Sequence, residues 1–298
     1  MNARTSDKIA TIIFYSIAIF ISLLLIALIG FILYHGLRVI NWHFLTSPPS
    51  AFRAGGGVGP QIFNSFLLLI LTMIFTIPLG LGAGIYLSEF SRESRWTRII
   101  RICTETLASL PSIVIGLFGL LFFVTVLKWG FSLLSGALAL TVLNLPVMTR
   151  ISEDALRSVK RELREASLAL GATQWQTIVH VVLVAAIPGL VTGIILTAGR
   201  VFGEAAALLY TAGITTPRLQ FNNWNPLNMN SPLYIFRPAE TLAVHIWKVN
   251  SEGLAPDARQ IADGASAILI IMVLFFNIVS RWFGRWLYGR MTGKHGKA

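Results

Sequence analysis

Charge is what this sequence has least of. Only 12% of its 298 residues are Asp, Glu, Lys or Arg, about half of the roughly 25% found in a soluble domain. That excludes an ordinary water-facing surface over most of the chain. Acidic residues are the scarcer sign, 13 against 24 Lys and Arg, for a net charge of +11. Cys103 is the only cysteine, which excludes an intrachain disulfide and a thiolate metal cluster. His35, His43, His180, His245 and His295 are scattered, with none at metal-ligand spacing. No Gly-x-x-x-x-Gly-Lys-Ser/Thr loop occurs. Residues 289–295 contain Gly-Lys at the wrong spacing and without the Ser or Thr, so ATP binding through a P-loop is excluded. No nucleophile–base set is readable either. The chain is expected to be no enzyme and to carry no cofactor or metal of its own; energy has to come from another chain or an ion gradient.

What the sequence does have is long apolar runs. Hydrophobic residues make up 55% of it, and several uncharged runs exceed the roughly 20 residues a helix needs to cross a bilayer. The expected fold is an all-α polytopic membrane protein with six transmembrane helices, near residues 9–34, 61–87, 106–127, 129–149, 181–216 and 264–280. The first run is too long for a signal peptide and is expected to stay as an anchor. The net charge invites a nucleic-acid reading, but Lys and Arg concentrated in cytoplasmic loops account for it equally well. With both termini inside, 16 of the 24 cations fall on the cytoplasmic side and 7 outside, Arg200 being the remaining one. That asymmetry favours a multi-pass protein with both ends cytoplasmic, embedded in lipid and without a nucleic-acid partner. Three regions are expected: an N-terminal anchor and outer loop over 1–60, a transmembrane domain over 61–290 with a cytoplasmic helix near 152–172, and a tail over 291–298.

Residues 153–209 organise the rest. A charged segment, Glu153 to Glu165, reaches Gly171, which can take the left-handed conformation that ends a helix. Thr173 and Gln176 fit a capping box. One helix is therefore expected over 152–170 and another from Thr173 onward, projecting into the cytoplasm as a lever. Beyond the turn lies an apolar stretch with two charges, Arg200 and Glu204, four apart and so on one face of a helix. They read either as a buried ion pair that fixes packing or as an anion path, in which the Arg200 fork holds oxyanion oxygens and Glu204 positions it. Gly189/Gly193 and Gly199/Gly203 permit close helix contact nearby. Pro78, Pro111 and Asn144 are candidate gate or bend positions.

Glu165-Ala166-Ser167, three residues, then Gly171 resembles the EAA loop of the integral membrane subunits of ABC importers. Ser167 stands where the family has a second Ala, and Val184 where it has Pro. The run from Leu107 to Gly119 is similar to one in the phosphate-specific permeases. Gly199 to Ala205 resembles their Arg-x-x-Gly-Glu element, and Thr241 to Trp247 resembles the PstA-type subunit rather than the PstC type. The resemblance implies a type I (MetI-like) importer permease in the bacterial inner membrane, transporting inorganic phosphate. It implies a PstC-type permease partner, a dimer of PstB-type ATP-binding subunits carrying ATP and Mg and gripping Glu165 to Gly171, and a PstS-type phosphate-binding protein. A permease for sulfate, molybdate or phosphonate, an ion-coupled secondary transporter using Arg200/Glu204 as a relay, and a membrane-embedded enzyme are the alternatives.

Overall fold

The computed structural model describes residues 3–50, 52–91, 94–229 and 231–291. Arg92, Lys294 and Lys297, counted above as cytoplasmic cations, lie outside the described residues, as does the tail from 292. The described chain is helical, with no strand. Its elements are α1 (Ala3–Gly36), α2 (Trp42–Thr46), α3 (Gly59–Ile85), α4 (Arg95–Ser109), α5 (Ser112–Gly119), α6 (Leu133–Arg157), α7 (Arg161–Ala169), α8 (Gln174–Thr177), α9 (Leu183–Gly203), α10 (Ala206–Leu209), α11 (Leu242–Glu252) and α12 (Ala258–Met291). Short π-helical turns extend α3 to Phe90 and α5 to Val126, and another joins α8 to α9.

Five helical segments are long and apolar enough to cross a membrane, and α4 with α5 makes a sixth if the bent pair is one span. The all-α fold holds with five to six spans, subject to one correction. The third span is not a straight helix over 106–127: α4 ends at Ser109, and the chain turns by 98° before α5. Pro111 sits at that break as the N-cap of α5; proline disfavours helical backbone in the residue before it, and Leu110 is extended. Pro78, by contrast, lies inside α3 without dividing it.

The centre is built by α3, α6 and α9. Glycines set their spacing: a Cβ on Gly80 would meet the Met148 side chain at 2.6 Å, and one on Gly84 would meet Ser152 Cβ at 2.5 Å. On an adjoining face of α6, a Cβ on Gly189 would meet Ala155 at 2.7 Å, and one on Gly193 would meet Ile151 at 2.5 Å. This first glycine pair therefore does permit close contact; Gly199 and Gly203 have nothing within 4 Å and face open space. α1 leaves its apolar residues exposed along its length and touches the bundle mainly along α12.

A second correction concerns the lever. No single helix covers 152–170; α6 stops at Arg157 and α7 begins at Arg161. Ser158 Oγ donates to Ala155 O at 2.7 Å, a local bond that competes with helix continuation. Arg164 turns back to donate to the carbonyls of Leu156, in the last turn of α6, and Val159, just past its end, where carbonyls lack the partner a continuing helix would give.

Candidate functional site

Three polar regions stand out along the bundle: one at mid-depth, one at the α7 end and one at the opposite end. The mid-depth region holds Arg200. α6 has 25 residues and is about 37 Å long. α9 runs antiparallel to it, pairing Gly189 with Ala155, Gly193 with Ile151 and Thr197 with Met148. The same register puts Arg200 level with Asn144, about 17 Å from the start of α6.

Arg200 and Glu204 do not form the pair expected from their spacing. α9 ends at Gly203, and Glu204 is its C-cap with an extended backbone (φ −76°, ψ 126°), so the two residues do not share a helical face. The Glu204 carboxylate instead turns forward, Oε1 accepting from Ala207 N at 3.2 Å and capping α10. Among the described residues Arg200 has no hydrogen-bond or ion-pair partner, and its side chain is exposed at the protein surface. The open face around it carries Leu196, Gly199 and Gly203. Asn144, by contrast, is fully buried; its Nδ2 donates to Leu140 O at 2.8 Å and its Oδ1 is unpaired.

At the α7 end the turn forms as its residues dictate. Gly171 has φ +86°; its N–H donates to Leu168 O, and the N–H of Ala172 donates to Ser167 O, the paired bonds of a Schellman ending. Thr173 and Gln176 make the capping box, Gln176 N–Thr173 Oγ1 at 3.3 Å and Thr173 N–Gln176 Oε1 at 2.8 Å. Glu165 and Ala166 are exposed, and Glu165 pairs only with its neighbour Arg161 at 2.8 Å. Ser167 is half-buried against Thr177, with 2.9 Å between the hydroxyls. α7 buries none of its residues, and Leu163, Leu168, Leu170 and Trp175 are all exposed beside it.

The opposite end holds a buried polar cluster that the sequence did not single out. Glu240, 2% exposed, accepts from Gln61 Nε2 at 2.9 Å, lies 3.0 Å from His245 Nδ1, and stands 3.7 Å from Lys248 Nζ. Arg237, equally buried, donates to Pro232 O, Pro238 O and Asn64 Oδ1. Burial lowers its pKa from the ordinary guanidinium value to about 10, because desolvation disfavours the charged form. These contacts clamp the long segment before α11 onto the start of α3. The one local signal was the spacing of Glu240, His245 and Lys248 around a helix start.

Residues 76–293 match the family described as "Binding-protein-dependent transport system inner membrane component". The "Probable ABC transporter permease protein YqgI" of Bacillus subtilis is 54% identical over 292 residues, covering 98% of this chain and 99% of that protein. The "Phosphate transport system permease protein PstA" of Haemophilus influenzae is 36% identical over 240 residues, covering 80% and 79%. Among solved structures, a chain of the inward-facing MetNI methionine ABC transporter superposes with a TM-score of 0.58 at 20% identity, covering 76% of this chain and 93% of that one. The MetI-like permease fold expected above is therefore the one observed. With the family match covering most of its length and relatives aligned nearly end to end, the chain belongs to the binding-protein-dependent transport system inner membrane components, the permease subunits of ABC importers.

Proposed function

We propose that this chain is the PstA-type subunit of an ATP-driven importer of inorganic phosphate. Arg200 carries the reading. An arginine at the bilayer centre costs about 2.5–3.5 kcal/mol on insertion scales, so it needs water, an anion or a polar partner. Among the described residues it has none, and Glu204 is engaged elsewhere. A surface shared with a second permease and lined by water supplies what is missing, and a planar guanidinium there can hold two oxygens of a passing phosphate. Similarity to PstA proteins favours phosphate over sulfate, molybdate or phosphonate. In this reading a PstC-type permease completes the passage and a PstS-type protein delivers phosphate from outside. A PstB-type dimer binding ATP and Mg grips the loop of Glu165, Ala166, Ser167 and Gly171, of which Glu165, Ala166 and Gly171 are exposed. Both termini lie in the cytoplasm and the assembly in a bacterial inner membrane. Pro111 and Asn144, near the level of Arg200, remain the gate candidates, with Pro78 as a point of bending.

The test is Arg200→Ala in proteoliposomes holding the permease pair, the ATP-binding subunit and the binding protein. Phosphate uptake is expected to fall at least about tenfold, the loss of one charge-assisted contact, while ATP is still hydrolysed. Parental uptake by the variant would remove Arg200 from the path.

A further inference from the structure

The exposed helix α7 buries no residue of its own, yet a displacement of α7 has to reach the spans if it is to open anything. Beside the Ser167–Thr177 contact with α8, its side-chain attachment to the ends of α3 and α6 runs through Arg164. Nη2 donates to Glu89 Oε1 at 3.0 Å and Nε to Glu89 Oε2 at 3.4 Å, a two-point grip on one carboxylate. The same guanidinium donates to Leu156 O at 2.6 Å and to Val159 O. Leu156 lies in the last turn of α6 and Val159 just beyond its end, where a cation also meets the negative end of the helix dipole. Arg164 is 21% exposed and Glu89 10%, so the pair is shielded far more than the neighbouring Arg161–Glu165 pair, at 87% and 61%.

Glu89 sits on the π-helical extension of α3. Its backbone carbonyl accepts from Gln174 Nε2 at 3.2 Å, and Ser88 Oγ donates to its side chain at 2.9 Å. One residue at the end of α3 thus meets α7 through Arg164 and α8 through Gln174. A second network lies alongside: Glu153 of α6 pairs with Arg101 at 2.7 Å and Arg157 at 3.0 Å, and Arg157 Nη2 reaches Leu87 O at 3.4 Å. That network joins α3, α4 and α6 but does not include α7.

We propose that Glu89 and Arg164 are positioning residues that carry movement of α7 to the ends of α3 and α6. The proposal rests on the reading that α7 contacts the ATP-binding subunit. A fork held at two points transmits push and pull in one direction, whereas a bond to a flexible surface group would let α7 swing without moving the spans. Cys103, the sole cysteine, is a native reporter: it lines an apolar crevice with Ala83, Tyr86 and Leu87 of the α3 end and Leu145 and Pro146 of α6. Sliding of α3 against α4 changes its access to a maleimide.

The experiment uses the complete importer in proteoliposomes, with the parent chain, Glu89→Gln and Glu89→Asp. Three quantities are read: retention of the ATP-binding subunit, phosphate imported per ATP hydrolysed, and the ATP-dependent change in maleimide labelling of Cys103 on this chain. Glu89→Gln is expected to keep the ATP-binding subunit and its hydrolysis but to lower phosphate per ATP by about tenfold, a typical coupling loss. It is also expected to abolish the ATP-dependent labelling change. Glu89→Asp, which keeps the charge, should recover much of both. Parental stoichiometry and labelling in Glu89→Gln would overturn the proposal, and so would loss of the ATP-binding subunit itself, which marks a structural role. A parent that hydrolyses ATP and changes Cys103 labelling without importing phosphate would refute the phosphate reading alone; loss of that change in Glu89→Gln would still support the linkage.

Discussion

Arg237→Met removes the guanidinium that pins the segment before α11 to α3. Its acceptors would be orphaned: Pro232 O, which takes two of its bonds, Pro238 O and Asn64 Oδ1. Each buried acceptor left unpaired costs about 1–3 kcal/mol, so the three together cost about 3–9 kcal/mol. A gain opposes this. The folded pKa of about 10, well below that of a free guanidinium, means that keeping the buried group charged costs about 3 kcal/mol at neutral pH, and methionine relieves that. The net expectation is a loss of about 3 kcal/mol. Because the folded pKa is the lower one, the unfolded chain holds the extra proton from about pH 10 up to the ordinary guanidinium value. The cost therefore fades only as pH rises through that window, and near neutrality it does not vary. Unfolding in mixed micelles, followed by tryptophan fluorescence at pH 7 for parent and variant, measures the difference. A variant within about 1 kcal/mol of the parent would show that the loop does not depend on these bonds.

Packing and capping yield two more expected outcomes. Gly193→Leu, whose Cβ would fall 2.5 Å from Ile151, is expected to destabilise the bundle by about 1–3 kcal/mol in the same assay, while Gly199→Ala, facing open space, should be tolerated by the isolated chain. Glu204→Gln keeps an oxygen that can cap Ala207, so the isolated chain should unfold within about 1 kcal/mol of the parent; a larger loss would show that the charge itself holds the cap.

The spans were legible because an uncharged run of bilayer length is stable in few settings besides lipid. The ending at Gly171 and the capping box at Thr173 were legible because they are made by residues adjacent in sequence. Three features were not legible, each for a tertiary or conformational reason. The break after Arg157 depends on Arg164 folding back onto the α6 carbonyls. The Arg200/Glu204 spacing implied a pair only if one helix contained both; the helix stops at Gly203, and the carboxylate finds a backbone donor ahead of it. The far-end cluster joins Gln61 to Glu240 across 179 positions, a distance over which local pattern carries no information. Of the expected pair, Arg200 is exposed and without a partner among the described residues, and Glu204 caps a backbone donor instead. The packing role of a buried ion pair therefore has no contact among the described residues to support it.

The central claim is tested most directly by the uptake of radiolabelled phosphate into proteoliposomes that contain the whole assembly, with ATP or a non-hydrolysable analogue inside and excess sulfate outside. The account predicts uptake that needs hydrolysable ATP and the binding protein and that sulfate leaves unchanged. No phosphate uptake by an assembly that hydrolyses ATP, or uptake displaced by sulfate, would contradict it.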